Sequence, residues 1–249
     1  MLAKTCVIKK QFLKKQLDKA RRERHTTPFF KRLVFRSVDS ALRARYRADY
    51  PTKCLQSSVG IKVALDSLGI DSTIVAGSVC FTEVFEGDDS RIGWGGFWDK
   101  DHHVWLSTEF REFVDLTISE LHLHPTSSRS DALPVLPVWW EDIEEWPPII
   151  RYLPKAPVDI QLCNEDMVDL KEFQNDVRSV LGKTFKESSV EDVSFGPILE
   201  GMSSLNRLTS EGNLWLRKSL LVQKLNIQFP EWIRVREMDL KNKYGGNCT

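Results

Sequence analysis

Three residues in the first half of the chain, Cys54, His103 and Asp115, have the side chains that nucleophilic attack on a carbonyl requires. A thiol can be the nucleophile, an imidazole can take its proton, and a carboxylate can orient that imidazole. The three residues follow one another in this order on a predicted helix, a predicted strand and the strand after it. The sequence therefore predicts a Cys-His-Asp catalytic triad.

Cys54 lies at a predicted helix start, because Pro51 ends the preceding helix and an apolar helical run then continues to Gly69. The unpaired amides of a helix N-terminus carry partial positive charge. They favour a thiolate over a thiol, and they offer an N–H group to an oxyanion. Burial as a structural cysteine is the alternative, but the neighbouring Lys53 and Gln56 favour partial exposure. Gln56 could add its amide to the oxyanion site.

A hairpin is predicted where two alternating segments flank the polar stretch 108–112. Alternation places His103 and Trp105 on one face, and a turn in that stretch brings Asp115 within reach of His103 across the strand pair. Trp105 would then form a wall beside the base. His102 is the rival base, but it falls on the opposite face unless a bulge intervenes.

The segments between the helix and the hairpin would complete the site. Residues 70–81 are apolar and β-branched, and they predict a strand. Residues 83–100 are rich in glycine and predict a loop. Trp94 and Trp98 in this loop could form one wall of a substrate cleft, or they could cover an edge of the core.

The pattern resembles the core of the transglutaminase-like branch of papain-fold thiol enzymes. The resemblance rests on Cys54 at the head of its helix, the strand 72–78, His103-Val104-Trp105 and Val114-Asp115-Leu116-Thr117. It implies that Cys54 is the nucleophile, His103 the base and Asp115 the residue that orients the base. The predicted fold is α+β, with the Cys54 helix packed on an antiparallel sheet and added helices at both ends.

The 249 residues balance 35 Lys and Arg against 35 Asp and Glu, but the charges are unevenly distributed. Residues 1–50 carry 15 basic and 4 acidic side chains, whereas residues 51–130 carry 6 and 12. We predict a basic helical N-terminal arm at 1–50, a catalytic core at 51–160 and a helical C-terminal extension at 161–249. The arm could pack on the acidic body or, as the less favoured alternative, bind nucleic acid.

Other features exclude several classes of protein. The five cysteines form no CxxC pair, and no apolar run is long enough for a signal peptide or a membrane span, so a cytoplasmic protein is expected.

Residues 131–157, rich in Pro and Trp, predict an extended strap without regular structure. Residues 121–124 predict a short strand. Their histidines, with His102 and Cys80, could form a metal site, but we predict no metal and no cofactor.

The sequence therefore predicts a cysteine hydrolase that attacks an amide carbonyl through a thioester. A peptidase, isopeptidase or amidase-deamidase acting on a protein or peptide is the preferred interpretation. The alternatives are a transglutaminase-like acyltransferase and a catalytically silent binding module of the same fold.

Overall fold

The computed structural model describes residues 8–85, 87–97, 102–124, 138–142, 149–158, 160 and 163–244. It shows an α+β protein in which helices pack on both faces of a curled antiparallel sheet. This confirms the predicted fold class and the helix that bears Cys54.

The elements alternate between blocks of helices and blocks of strands. The helices are α1 (Lys10–Glu23), α2 (Pro28–Tyr46), α3 (Cys54–Leu68), α4 (Asn164–Glu187), α5 (Gly201–Ser210), α6 (Leu214–Ser219), α7 (Leu221–Lys224) and α8 (Glu231–Tyr244), with short 3-10 helices at Arg47–Thr52 and Thr117–Leu123. The strands are β1 (Ser72–Phe85), β2 (Asp88–Phe97), β3 (His103–Thr108), β4 (Glu112–Asp115), β5 (Trp139–Asp142) and β6 (Ile150–Pro157).

The long strand β1 organises the sheet. One of its edges pairs with β6, and its other edge pairs first with β3 and then with β2. His103 is therefore opposite Gly77, and Phe97 is opposite Val79, two residues further along the same edge. The hairpin of β3 and β4 extends the sheet, and β5 pairs with β4. The start of β3 thus lies in the middle of the sheet.

The larger core lies between the sheet and α2, α3 and α4. It includes Leu33 and Val38 from α2, which are fully buried, and Leu106 and Val114 from the sheet. Gly60 allows the three helices to meet closely, because a Cβ there would lie 2.9 Å from the Phe173 ring. The segment 1–50 therefore contributes α2 to the main core as well as the more exposed α1.

The opposite face of the sheet carries a second, aromatic core. Trp105, Phe113 and Tyr152 from the strands pack there with residues of α5 and α6, such as Leu205 and Trp215. The C-terminal helices therefore cover the face to which His103 and Asp115 belong by strand alternation.

Two segments expected to be irregular are strands. The expected loop 83–100 contains the end of β1 and all of β2, and two of its glycines, Gly95 and Gly96, serve close packing: a Cβ on Gly96 would lie 2.0 Å from the Val79 carbonyl oxygen. The expected strap 131–157 contains β5 and β6. Two prolines of that stretch, Pro154 and Pro157, belong to β6, which pairs only with β1 among the described strands. An edge position of this kind tolerates proline.

The expected strand at 121–124 is also wrong, since this stretch ends the 3-10 helix Thr117–Leu123. Leu121 is buried while Leu123 is 54% exposed, so the two leucines do not share a face as alternation required. Helix α8 lies within the C-terminal extension that was expected to be helical at 161–249. Within the described ranges, no helix combines the length and the apolar character needed to cross a membrane.

Candidate functional site

Cys54 is the first residue of α3, as expected. Pro51 lies in the 3-10 helix just before it, and Gly69 ends α3 in the left-handed conformation at φ +80°. The first bond of the helical ladder is donated by the Ser57 amide to the Lys53 carbonyl, so the amides of Cys54 and the next two residues precede the ladder. The thiol is partly exposed. Cys54 therefore stands at the positive end of a helix and is partly exposed to solvent.

The position of α3 on the sheet brings its start beside the start of β3. The Ser58 hydroxyl donates to the Val104 carbonyl at 3.1 Å, which fixes the first turn of α3 next to His103. Gly77, opposite His103, has no room for a side chain, because a Cβ would lie 2.2 Å from the Leu153 carbonyl oxygen and 2.6 Å from the Trp105 ring. The strands around His103 are therefore as close together as the backbone allows.

His103 is 1% exposed and sits among aromatic rings. Phe97 stacks parallel to the imidazole at 6.1 Å between centroids, and Trp105 and Tyr152 each lie at 6.2 Å. Its Nε2 lies 2.6 Å from Asp115 Oδ2. Because this nitrogen is occupied by Asp115, the remaining Nδ1 is the one available to the Cys54 thiol, which hydrogen-bonds the ring.

Asp115 ends β4, and its carboxylate accepts four hydrogen bonds. Oδ2 accepts from His103 and from the Tyr152 hydroxyl at 2.8 Å. Oδ1 accepts from the Thr117 amide at 3.0 Å and from the Thr117 hydroxyl at 3.2 Å. The residue is 2% exposed. Hydrogen-bond donors therefore surround both oxygens of this buried carboxylate, which offsets the cost of burying it.

The electrostatics favour a charged imidazole. Burial by itself lowers the pKa of His103, but the Asp115 charge and hydrogen bond, together with the Cys54 thiol, raise it to about 10. Burial first, and then the Asp115 charge, raise the pKa of Tyr152 well above its ordinary value, so its hydroxyl stays a donor. At neutral pH the site can therefore hold a charged imidazolium between Asp115 and Cys54.

The structure brings Cys54, His103 and Asp115 together in the predicted order. The rival base, His102, has its Nε2 2.9 Å from Lys155 Nζ, while Asp115 contacts His103. Trp105 forms a buried wall beside the base, packed on Phe113 at 5.6 Å.

The other residues predicted to bind substrate are placed differently. Trp94 donates its indole N–H to the Gln228 carbonyl and packs on Phe229 at 4.3 Å, so its described contacts are with the C-terminal segment. Gln56 is half-buried in the first turn of α3. Trp98 lies outside the described residues.

The possible metal ligands do not assemble in the part of the chain that the structure describes, where no group of three or more His, Cys, Asp or Glu side chains could hold an ion. Cys80 is fully buried in a small cluster with Leu153 and Ile233. His124 instead contacts the edge of Phe97 at 4.8 Å.

Two partners of Asp115 received no role from the sequence. Thr117 lies two residues after Asp115, a spacing at which an Asp side chain commonly accepts bonds from the backbone ahead of it. That local signal could have identified it. Tyr152 belongs to the stretch interpreted as a strap, 37 residues from Asp115, and no local pattern pointed to it.

Comparisons with protein-family models, curated protein sequences and solved structures gave no match to this chain. The geometry of the site is therefore the ground on which its function is argued.

Proposed function

We propose that this protein is a cysteine hydrolase of the transglutaminase-like, papain-fold type that cleaves an amide bond in a protein or peptide. The observation that carries the proposal is the buried His103–Asp115 pair, whose imidazole also hydrogen-bonds a partly exposed thiol at a helix N-terminus. A nucleophile, a base and an orienting carboxylate in contact are the geometric requirement for such chemistry.

In the proposed reaction the Cys54 thiolate attacks the amide carbonyl carbon, and the C=O electron pair moves to oxygen. The amides at the start of α3 stabilise the resulting oxyanion. The imidazolium of His103 gives its proton to the leaving nitrogen as the C–N bond breaks, which leaves an acyl thioester on Cys54. A water molecule then adds to the thioester carbonyl carbon while His103 takes a proton from it. The tetrahedral intermediate collapses as its C–S bond breaks, which releases the carboxylic acid and returns the Cys54 thiolate beside the imidazolium of His103.

Hydrolysis is favoured over acyl transfer because water is the default acceptor wherever a site does not exclude it. A transglutaminase-like acyltransferase differs only in that an amine replaces water in the second half. A binding module of the same fold is the other alternative, but the charged and hydrogen-bonded state of His103 favours a working site. The proposed setting is the cytoplasm, where a thiol such as Cys54 stays reduced.

The substrate is proposed to be a protein or peptide segment that reaches the thiol from the exposed side of α3. The buried state of His103 and Asp115 leaves Cys54 as the exposed member of the triad. Binding of nucleic acid through the basic residues of the 1–50 segment remains the less favoured alternative, and no cofactor is part of the proposal.

The test is brief labelling of the native protein with iodoacetamide near neutral pH, followed by peptide mapping. Cys54 should be alkylated quickly, and the fully buried Cys80 slowly. Cys163, which is exposed but lies outside the site, is the matched control for simple accessibility. Equal labelling of Cys163 and Cys54 would contradict an activated thiol.

Labelling is then compared with turnover. A panel of peptide amides, isopeptides and glutamine side-chain amides is incubated with the wild type, with Cys54→Ala and with Cys163→Ala. Loss of cleavage in the first variant alone supports the proposal. Release of product only when an amine is added would assign the acyltransferase instead, and inertness toward the whole panel with a slowly alkylated Cys54 would assign the binding module.

A further inference from the structure

The hydroxyl of Tyr152 shares one carboxylate oxygen with the imidazole of His103. Asp115 Oδ2 lies 2.8 Å from the hydroxyl and 2.6 Å from His103 Nε2. Tyr152 comes from β6, which is remote in sequence from both residues and pairs with β1 on the edge opposite to β3. Two donors from different strands therefore converge on a single oxygen.

Apolar contacts hold the ring of Tyr152 in place independently of its hydroxyl group. It packs on Phe113 at 4.0 Å and meets the edge of Trp105 at 5.2 Å, and the side chain belongs to the aromatic core. A phenylalanine would make the same apolar contacts. Burying a hydroxyl in such a core costs free energy unless it is hydrogen-bonded. The bond to Asp115 is therefore what the hydroxyl adds.

We propose that Tyr152 is a positioning residue that holds the Asp115 carboxylate in place and limits how strongly this carboxylate stabilises the imidazolium of His103. This inference rests on the proposed function, because it assigns Asp115 to the catalytic base. The hydroxyl withdraws negative charge from Oδ2 by donating to it. An imidazolium that is stabilised less gives up its proton more readily to a leaving amine.

The titratable groups that the structure places against His103 come from three elements: Asp115 from β4, Cys54 from α3 and Tyr152 from β6. The rings of Phe97 and Trp105 add no charge. In Tyr152→Phe, Asp115 keeps the Thr117 donors on Oδ1 but loses one donor on Oδ2. The remaining His103–Asp115 bond then becomes stronger, and the imidazolium becomes a weaker acid.

The first experiment compares two substrates of the same acyl group, a peptide amide and an activated p-nitrophenyl ester. The amide nitrogen must be protonated to leave, whereas the phenolate leaves without a proton. We expect Tyr152→Phe to lower kcat for the amide about tenfold with KM unchanged, and to leave the ester rate within about twofold. A merely structural loss would lower both rates by the same factor.

The matched control is Tyr46→Phe. Its hydroxyl donates to Asp169 at the same 2.8 Å, and its ring packs on Phe173, so the same chemical bond is lost in another part of the molecule. This variant should leave the ratio of amide to ester rates at the wild-type value. A changed ratio in the control would show that the assay reports stability.

The second experiment needs no turnover. In nitrogen-15 labelled protein, the His103 Nε2 proton should give a downfield resonance, because its bond to Asp115 is short. Tyr152→Phe should shift this resonance further downfield and raise the pH at which the ring loses its proton. An unchanged resonance and titration would overturn the inference.

A double-mutant cycle covers the case in which Tyr152→Phe is also less stable. The effect of Tyr152→Phe on the amide-to-ester ratio should disappear in an Asp115→Asn background, because the hydroxyl acts through the carboxylate. An effect of the same size in both backgrounds would contradict the inference. If the resonance shifts as expected but no amide is cleaved by any variant, the positioning role stands and the hydrolase proposal falls.

Discussion

The two ends of β4 carry the same chemical group in two different settings. Glu112 begins the strand and Asp115 ends it, and both carboxylates are almost fully buried on opposite faces of the sheet. Each carboxylate accepts bonds from threonine donors and from a histidine ring. One strand of four residues therefore offers a direct comparison between two buried carboxylates, each paired with a histidine: His103 is buried, whereas the His25 side chain is 41% exposed.

Glu112 lies in a network of buried and half-buried side chains, which we call the Glu112 network. Its oxygens accept from the Thr26 amide at 2.9 Å, from the Thr26 hydroxyl at 2.5 Å and from the Thr108 hydroxyl at 3.0 Å. His25 Nδ1 lies 3.0 Å from Glu112 Oε1, and its other nitrogen, Nε2, lies 2.8 Å from Lys31 Nζ. Lys31 is fully buried and also lies 3.5 Å from Glu200.

The difference between the two pairs is what the second ring nitrogen faces. For His25 it is an ammonium group, which already carries its protons and has no lone pair to offer. For His103 it is the thiol of Cys54, which can lose a proton and attack. The comparison teaches that a histidine–carboxylate pair is not by itself evidence of a catalytic site, because in the proposed function it is the thiol beside the other ring nitrogen that would make His103 a base.

The largest expected effect is the difference in activity between variants of His103 and His25. Cys54→Ala and His103→Ala should each lower kcat/KM for the amide by about 10⁴-fold or more, and the double variant should be no worse than either single one, because the two act as a unit. His25→Ala is the matched control and should keep the wild-type rate per folded molecule. A loss with His25→Ala equal to that with His103→Ala would remove the distinction drawn here.

In the same assay, variants of the two carboxylates should also differ in kcat, but by a smaller factor. Asp115→Asn should lower kcat by about 10²- to 10⁴-fold, because the imidazole loses its charged partner while the nucleophile and the oxyanion donors remain. Glu112→Gln should leave kcat within about twofold. Steady-state kinetics on both variants, corrected for the folded fraction by circular dichroism, checks this. Equal losses would mean that β4 acts as one unit.

For the free energy of unfolding, we expect the side chains around Glu112 to matter more than they do for activity. Lys31 Nζ lies 3.8 Å from Glu112 Oε1, so Lys31→Met leaves the Glu112 carboxylate buried without its lysine and should lower the free energy of unfolding by about 3–5 kcal/mol. Lys62→Met removes an exposed lysine that pairs with Asp66 one helical turn away, and it should change stability by less than about 1 kcal/mol. Urea unfolding measures both. If Lys31→Met changed stability as little as Lys62→Met does, the Glu112 network would contribute little to the free energy of unfolding.

A pH dependence of stability should be specific to the His103–Asp115 pair. Because the folded pKa of His103 is raised to about 10, its contribution to stability is fully present below the unfolded pKa of about 6.5 and is lost as the pH rises through 10. The difference in unfolding free energy between the wild type and His103→Gln should therefore shrink between these two pH values. A constant difference across that window would contradict the raised pKa.

The parts of the molecule that local chemistry controls could be predicted from the sequence. Gly69 ends the Cys54 helix as expected, whereas Pro51 lies inside the 3-10 helix Arg47–Thr52 and α2 already ends at Tyr46. Alternation around a polar turn identified the β3–β4 hairpin. His103 and Asp115 then followed as same-face neighbours. These features depend on residues close together in the chain.

The missed parts depend on tertiary pairing. The glycines of β2 indicated a loop because their use, close approach to β1, is visible only when β1 is in place. The prolines around β6 indicated an irregular segment, although an edge strand accommodates them. Tyr152 could not be assigned to the site while its strand was unknown, and the contacts of Trp94 depend on the unpredicted segment that precedes α8.

The late position of β6 in the chain also orders events during synthesis. Cys54, His103 and Asp115 leave the ribosome before Tyr152, which follows Asp115 by 37 residues. At roughly 5–20 residues per second, this interval lasts about 2–7 seconds. During it the edge of β1 is unpaired and the Asp115 carboxylate has one donor fewer. The Asp115 carboxylate therefore gains the Tyr152 donor only after the other strands of the sheet have been made, and before the helices α4 to α8 that cover the sheet.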